Sequence, residues 1–112
     1  MSDTIFGKII RGELPADKVF ENENIVAIKD IHPVAPVHLL IIPKKEIPDL
    51  QSVTPADFAL IGEMVSVAQQ LAERFGVIEG YRLLTNNGSP AGQTIFHLHF
   101  HLIGGRTLGP MA

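Results

Sequence analysis

Three histidines alternate with apolar residues in the segment His97-Leu98-His99-Phe100-His101-Leu102-Ile103. On an extended strand successive side chains point to opposite faces. The pattern therefore puts three imidazoles on one face and Leu98, Phe100 and Leu102 on the other. The apolar face explains itself as core packing. The imidazole face does not, because it adds little as a packing surface and takes up protons near a pH of about 6.5. It could be a solvated row, a metal site or a catalytic device. Same-face residues stand about 6.6 to 6.8 Å apart, which separates His97 from His101 by about 13 Å. Zinc needs its nitrogens at about 2.0 to 2.1 Å, so all three cannot converge on one ion from a straight strand. Two of them with His38 from a neighbouring strand could, although the motif holds no Cys, Asp or Glu. Catalysis fits the spacing better. A central imidazole can attack phosphorus while its neighbours fix its tautomer, donate to phosphate oxygens and protonate a departing group.

The loop that leads into this strand supports the catalytic reading. Asn86-Asn87-Gly88-Ser89-Pro90-Ala91-Gly92-Gln93-Thr94 combines glycines that let backbone approach a ligand with amides and hydroxyls suited to phosphate. Alone, such a loop is ordinary turn composition. Its weight comes from running directly into the histidines. Asp30 can accept hydrogen bonds from both hydroxyls of a ribose, though by itself it reads more readily as a solvated turn carboxylate. His32 reads as a turn or surface residue.

The elements that must position these groups are legible in outline. Residues 4–11 form a short helix capped by Thr4, with Ile5, Phe6, Ile9 and Ile10 as its apolar face and Gly12 as its stop. Strands from Lys18 to Glu21 and from Ile25 to Lys29 make a hairpin across Glu23-Asn24. Residues Asp30 to Pro36 connect them to a buried strand from His38 to Ile42, closed by Pro43. Thr54-Pro55 starts a long helix, with Asp57 in its first turn and Gly76 beyond its end. Its apolar stripe reads Phe58, Ile61, Met64, Val65, Ala68, Leu71, Ala72 and Phe75. Strands from Tyr81 to Thr85 and from Thr94 to Ile103 complete an α+β fold. The expected architecture is a five-stranded, mostly antiparallel sheet with one long helix and a short N-terminal helix, in a single domain over residues 1–112.

Composition narrows the function classes. The 112 residues are 46% hydrophobic and 19% charged, as in an ordinary folded domain. Zero cysteines exclude disulfides, thiolate zinc sites and a cysteine nucleophile. A net charge of -3 argues against a broad cationic surface for nucleic acid. Met1-Ser2-Asp3-Thr4 leads into no secretory pattern, and no apolar run is long enough for a membrane span. A cytoplasmic protein is the expectation.

The histidine segment is the full signature of the histidine-triad superfamily, and the chain resembles its nucleotide-binding branch, the purine nucleoside phosphoramidases. The resemblance runs nearly end to end. It takes in Ile5-Phe6-Gly7-Lys8-Ile9-Ile10, Asp30, Ala35-Pro36-Val37-His38-Leu39-Leu40-Ile41-Ile42-Pro43-Lys44, Tyr81-Arg82, Asn86, Gly92-Gln93 and Gly104-Gly105-Arg106. It implies His99 as the nucleophile of a covalent nucleotidyl-histidine intermediate and His101 as the residue that contacts phosphate and assists transfer. His97 and His38 would orient that network. Asp30 would bind ribose, Asn86, Gly92 and Thr94 would lie near phosphate, and Ile31 and Phe6 would line the base pocket. Thr94 stands where many relatives carry Ser, keeping the hydroxyl.

The implied reaction is P–N hydrolysis of a purine nucleoside 5'-phosphoramidate, with no cofactor and no metal, in a homodimer whose two sheets join. Some relatives reach the partner's site with an aromatic tail. This chain has no Trp, which leaves leaving-group preference open. Hydrolysis or phosphorolysis of dinucleoside polyphosphates, a nucleotide-binding regulator with little turnover, and a structural metalloprotein remain as alternatives.

Overall fold

A computed structural model describes residues 3–112; Met1 and Ser2 lie outside them. The sheet has five strands in the order β1-β2-β3-β5-β4, comprising β1 Lys18–Glu21, β2 Ile25–Lys29, β3 Val37–Pro43, β4 Tyr81–Leu84 and β5 Phe100–Gly104. All four pairings are antiparallel. Two α-helices among the described residues complete the fold, α1 Ile5–Ile10 and α2 Phe58–Arg74. No helix among the described residues is long and apolar enough to cross a membrane.

Each helix forms where its caps predict. The Thr4 hydroxyl accepts a hydrogen bond from the Gly7 amide at 3.0 Å, and Gly12 leaves α1 with φ +77°. Before α2, Pro55–Asp57 make a 3₁₀ turn, and the Asp57 carboxylate accepts from the Thr54 amide at 3.1 Å. The α helix proper therefore starts at Phe58, one turn later than Pro55.

The sheet separates two apolar clusters by strand alternation. Ile25, Ala27, Leu39, Ile41, Leu98, Phe100 and Leu102 face α2, where they meet Met64, Val67, Ala68 and Leu71. Val26, Ile28, Leu40 and Ile42 face the other way and pack with Phe6 and Ile9 of α1. The predicted stripe on α2 needs adjusting. Phe58 and Val65 are exposed, whereas Val67, absent from the stripe, is buried. At about 100° per residue, Val65 and Phe58 lie about 100° and 120° around the helix from Met64, while Val67 lies only about 60° to its other side. The contact is centred on Met64, Ala68 and Leu71.

The last strand is shorter than the sequence suggests. Residues 94–99 follow an irregular path, and regular pairing begins at Phe100. Side-chain and loop partners hold this stretch instead of a strand ladder. The Gln93 amide donates to the carbonyls of Pro48 at 2.9 Å and Ile95 at 3.1 Å, and the Leu98 amide donates to the Ile47 carbonyl at 2.7 Å. Leu98 nevertheless keeps its place in the α2 cluster.

Leu102 is fully buried between β5 and α2. Leu102→Ala should lower the unfolding free energy by about 2 to 5 kcal/mol, read from the shift of the urea midpoint, because the tightly packed site collapses little around the lost atoms.

Candidate active site

One cavity of about 480 Å³ opens on the α1 side of the sheet. That volume lies in the range of small-molecule sites, about 300 to 1,000 Å³. Phe6, Asp30, Ile31, Asn86, Gly92, Thr94, His99 and His101, all singled out from the sequence, contribute to its wall. His32, read as a surface residue, is exposed and sits at the same wall. Ile31 is 86% exposed there. His97 and His38 are not at the wall. His97 is 1% exposed and His38 is also buried, so the expected row of three loses His97 to the interior, and of the four candidate histidines two face the cavity and two lie behind it.

Hydrogen bonds to backbone groups decide where each proton sits. A carbonyl only accepts, so Nδ1 of His99, 2.7 Å from the His97 carbonyl, carries the proton. The lone pair of His99 is then on Nε2. By the same reasoning Nε2 of His97 donates to the Pro43 carbonyl at 2.7 Å, and Nδ1 of His97 has no hydrogen-bond partner among the described residues. An amide only donates. The Val34 amide lies 3.1 Å from Nδ1 of His38, so neutral His38 holds its proton on Nε2. That nitrogen is 2.9 Å from Nδ1 of His101 and 3.3 Å from the Asp30 carboxylate. His101 accepts at Nδ1 and keeps its own proton on Nε2. The outcome is a lone pair on His99 beside a donor on His101, with ring centroids 5.1 Å apart.

Rigid surroundings hold both groups. Phe6 packs edge-on against His99 at 4.8 Å and against His97 at 6.3 Å. The Thr85 hydroxyl donates to the His99 carbonyl at 2.8 Å. Gly88 and Gly92 adopt φ +87° and +100°, and the amide of Gly88 donates to the Gln93 side chain at 2.8 Å. Gln93 thus organises the loop that brings Asn86, Gly92 and Thr94 to the cavity. Only its place in the Gly92-Gln93 pair signalled this in the sequence.

Burial sets the charge state. Desolvation lowers the affinity of His38 for protons, partly offset by Asp30. It does the same to His99, against the opposing effect of the hydrogen bond to the His97 carbonyl. His101 is lowered to about 4, by desolvation first and then by the neighbouring His99 and His38. These three imidazoles are therefore neutral at neutral pH.

One atom from each of Asp30, His38 and His101 lies within 4.8 Å of the others, a spacing that could hold a metal ion. Of the three alternating histidines only His101 belongs to that group. An ion there would have to displace the proton on Nε2 of His38, whose other nitrogen is already engaged by Val34.

The match to known proteins follows this geometry. Residues 11–108 match the HIT domain. The chain belongs to the HIT family. Within the histidine-triad superfamily it falls in the nucleotide-binding, phosphoramidase-like branch, and its kinship is with HIT-family hydrolases. It is 46% identical over 110 residues to a purine nucleoside phosphoramidase of Escherichia coli K12, spanning 97% of this chain and 92% of that one. A HIT-like protein of Chlamydia pneumoniae is 53% identical over 109 residues, covering 97% and 99%. Among solved structures, a HIT family hydrolase from Clostridium thermocellum superposes with a TM-score of 0.94 at 46% identity, covering 99% and 97% of the two chains.

Because the folded-state values of these histidines lie below the ordinary value of about 6.5, the unfolded chain binds more protons as the pH drops. Stability from this HIT-family site is complete above that pH and is lost as the pH falls toward about 4. Titration by NMR should show His38, His99 and His101 all protonating below 6.5, with His101 last. A thermal midpoint that stays level across this window would contradict the assignment.

Proposed function

We propose that this HIT-family protein hydrolyses the P–N bond of purine nucleoside 5'-phosphoramidates through a covalent nucleotidyl-His99 intermediate. The observation that carries the reading is the bond from Nδ1 of His99 to the His97 carbonyl, which leaves the lone pair on Nε2 at the cavity wall. In the first half-reaction Nε2 of His99 forms a bond to phosphorus as the P–N bond breaks. The departing nitrogen accepts a hydrogen bond from the N–H on Nε2 of His101 and leaves as the amine with a proton taken up from solvent. In the second, water attacks phosphorus as the bond to Nε2 of His99 breaks, its proton passes to solvent, and the nucleoside monophosphate leaves with His99 restored.

The remaining wall suits the rest of such a substrate. Phe6 and Ile31 give the base an apolar seat, Asp30 faces the ribose, and Asn86, Gly92 and Thr94 surround the phosphate. The Escherichia coli relative, a purine nucleoside phosphoramidase by name, supports the choice of substrate. No cofactor has a role in this scheme, and the reaction suits the nucleotide pool of the cytoplasm. The outer edge of β4 is unpaired among the described residues, and joining two such edges would give the homodimer expected from the resemblance.

Release of AMP and amine from an adenosine 5'-phosphoramidate tests the reading. The parent protein should hydrolyse it in excess chelator, and His99→Asn should lower kcat by at least about 10³-fold. Mass spectrometry of the quenched parent reaction should find a nucleotidyl group on His99. Loss of activity on chelation alone would move the reading to a metal site. Absence of turnover with tight nucleotide binding would favour a regulator.

Activity should also persist as the pH falls through 6.5, because the nucleophile is held below the ordinary histidine value by burial. A kcat profile with its acid limb above 6.5 would show that another group is in control.

A further inference from the structure

The proton on His101 that faces the cavity depends on a backbone amide, and that amide belongs to a segment gripped from outside the site. Val34 is held at both ends of its backbone. Its amide donates to Nδ1 of His38 at 3.1 Å, and its carbonyl accepts from the guanidinium of Arg106 at 2.8 Å. The same guanidinium donates to the Thr107 carbonyl at 2.9 Å, which fixes its direction.

The chain after β5 grips the next residues too. Gly105 has φ +95°, and a Cβ placed on it would come within 3.0 Å of Cβ of Pro36 and 3.4 Å of the Val37 amide. Only glycine fits there. Gly105 and Arg106 therefore clamp Val34 to Val37, the stretch that ends at His38.

The choice of tautomer is binary. With the Val34 amide in place, Nδ1 of His38 must accept, Nε2 donates to His101, and His101 presents N–H to the cavity. Without it, His38 is free to move its proton to Nδ1. Nε2 of His38 would then accept from Nδ1 of His101, and His101 would present a bare lone pair where a hydrogen-bond donor is required. The Asp30 carboxylate, 3.3 Å from Nε2 of His38, favours the first arrangement, so the amide and Asp30 act together.

We infer that Arg106 is a positioning residue, which holds the Val34 amide on His38 and thereby sets the proton of His101 toward the cavity. It touches neither substrate nor the reacting atoms. Its kinetic effect rests on the phosphoramidase reading, whereas its effect on the tautomer does not.

The test is ¹⁵N NMR of the imidazoles at a pH where all are neutral, in the parent, Arg106→Ala, Arg106→Lys and Val34→Pro proteins. The parent should show His38 protonated on Nε2. Arg106→Ala and Val34→Pro, which removes the amide hydrogen itself, should shift the His38 signals toward the Nδ1-protonated form. Arg106→Lys should keep most of the parent pattern. With the phosphoramidate substrate, Arg106→Ala should lose about 10-fold in kcat with KM within about twofold, as supporting partners of a reactive group do.

An Arg106→Ala protein whose His38 tautomer is unchanged overturns the inference, whatever happens to its melting temperature. So does a parent His38 protonated on Nδ1. Should Val34→Pro not fold, Arg106→Ala decides alone. If the parent fails to turn over substrate, the function proposed above falls while the tautomer measurement still decides this one.

Discussion

The register between β3 and β5 pairs Leu40 with His101 and His38 with Ile103. His38 and His101 are thus diagonal neighbours on one face, a separation that side chains of this length can bridge. Their rings meet at 2.9 Å. A slip of one residue would turn one of them to the opposite face. What prevents the slip lies on that opposite face, where Leu39 pairs with Leu102 and Ile41 with Phe100 beneath α2. The apolar core therefore fixes the distance between two polar groups it never touches.

Burial and backbone hydrogen bonds divide the remaining work. Burial keeps His38, His99 and His101 uncharged. Fixed carbonyls and an amide then say which nitrogen carries each proton, through His97, Pro43 and Val34. Neither factor would suffice alone. A neutral imidazole free to choose its tautomer would spend part of its time with the wrong nitrogen turned to the cavity.

Much of this was legible in the sequence because it rests on period. Alternation from His97 to Ile103 is enough to separate an apolar face from a polar one, and the cap at Thr4 and the Thr54-Pro55 start follow from local chemistry. The irregular path of residues 94–99 was not legible, since it is fixed by Gln93, Pro48 and Ile47, the last two distant in the chain. The division of the histidines into cavity and interior pairs was hidden for the same reason. Period says which face a side chain takes, but not how deep it lies. Arg106 carried no chemical signal of its own, because its partner is a carbonyl and any residue could supply one.

The two faces of the sheet are covered unequally. The 17-residue α2 seals one, while the six-residue α1 covers only part of the other and leaves the cavity open. Rim residues such as Ile31 and Thr94 are exposed and bury little that the fold depends on. A change at the rim can therefore alter what the cavity admits without unsettling the fold, whose stability is set on the far side of the same strands.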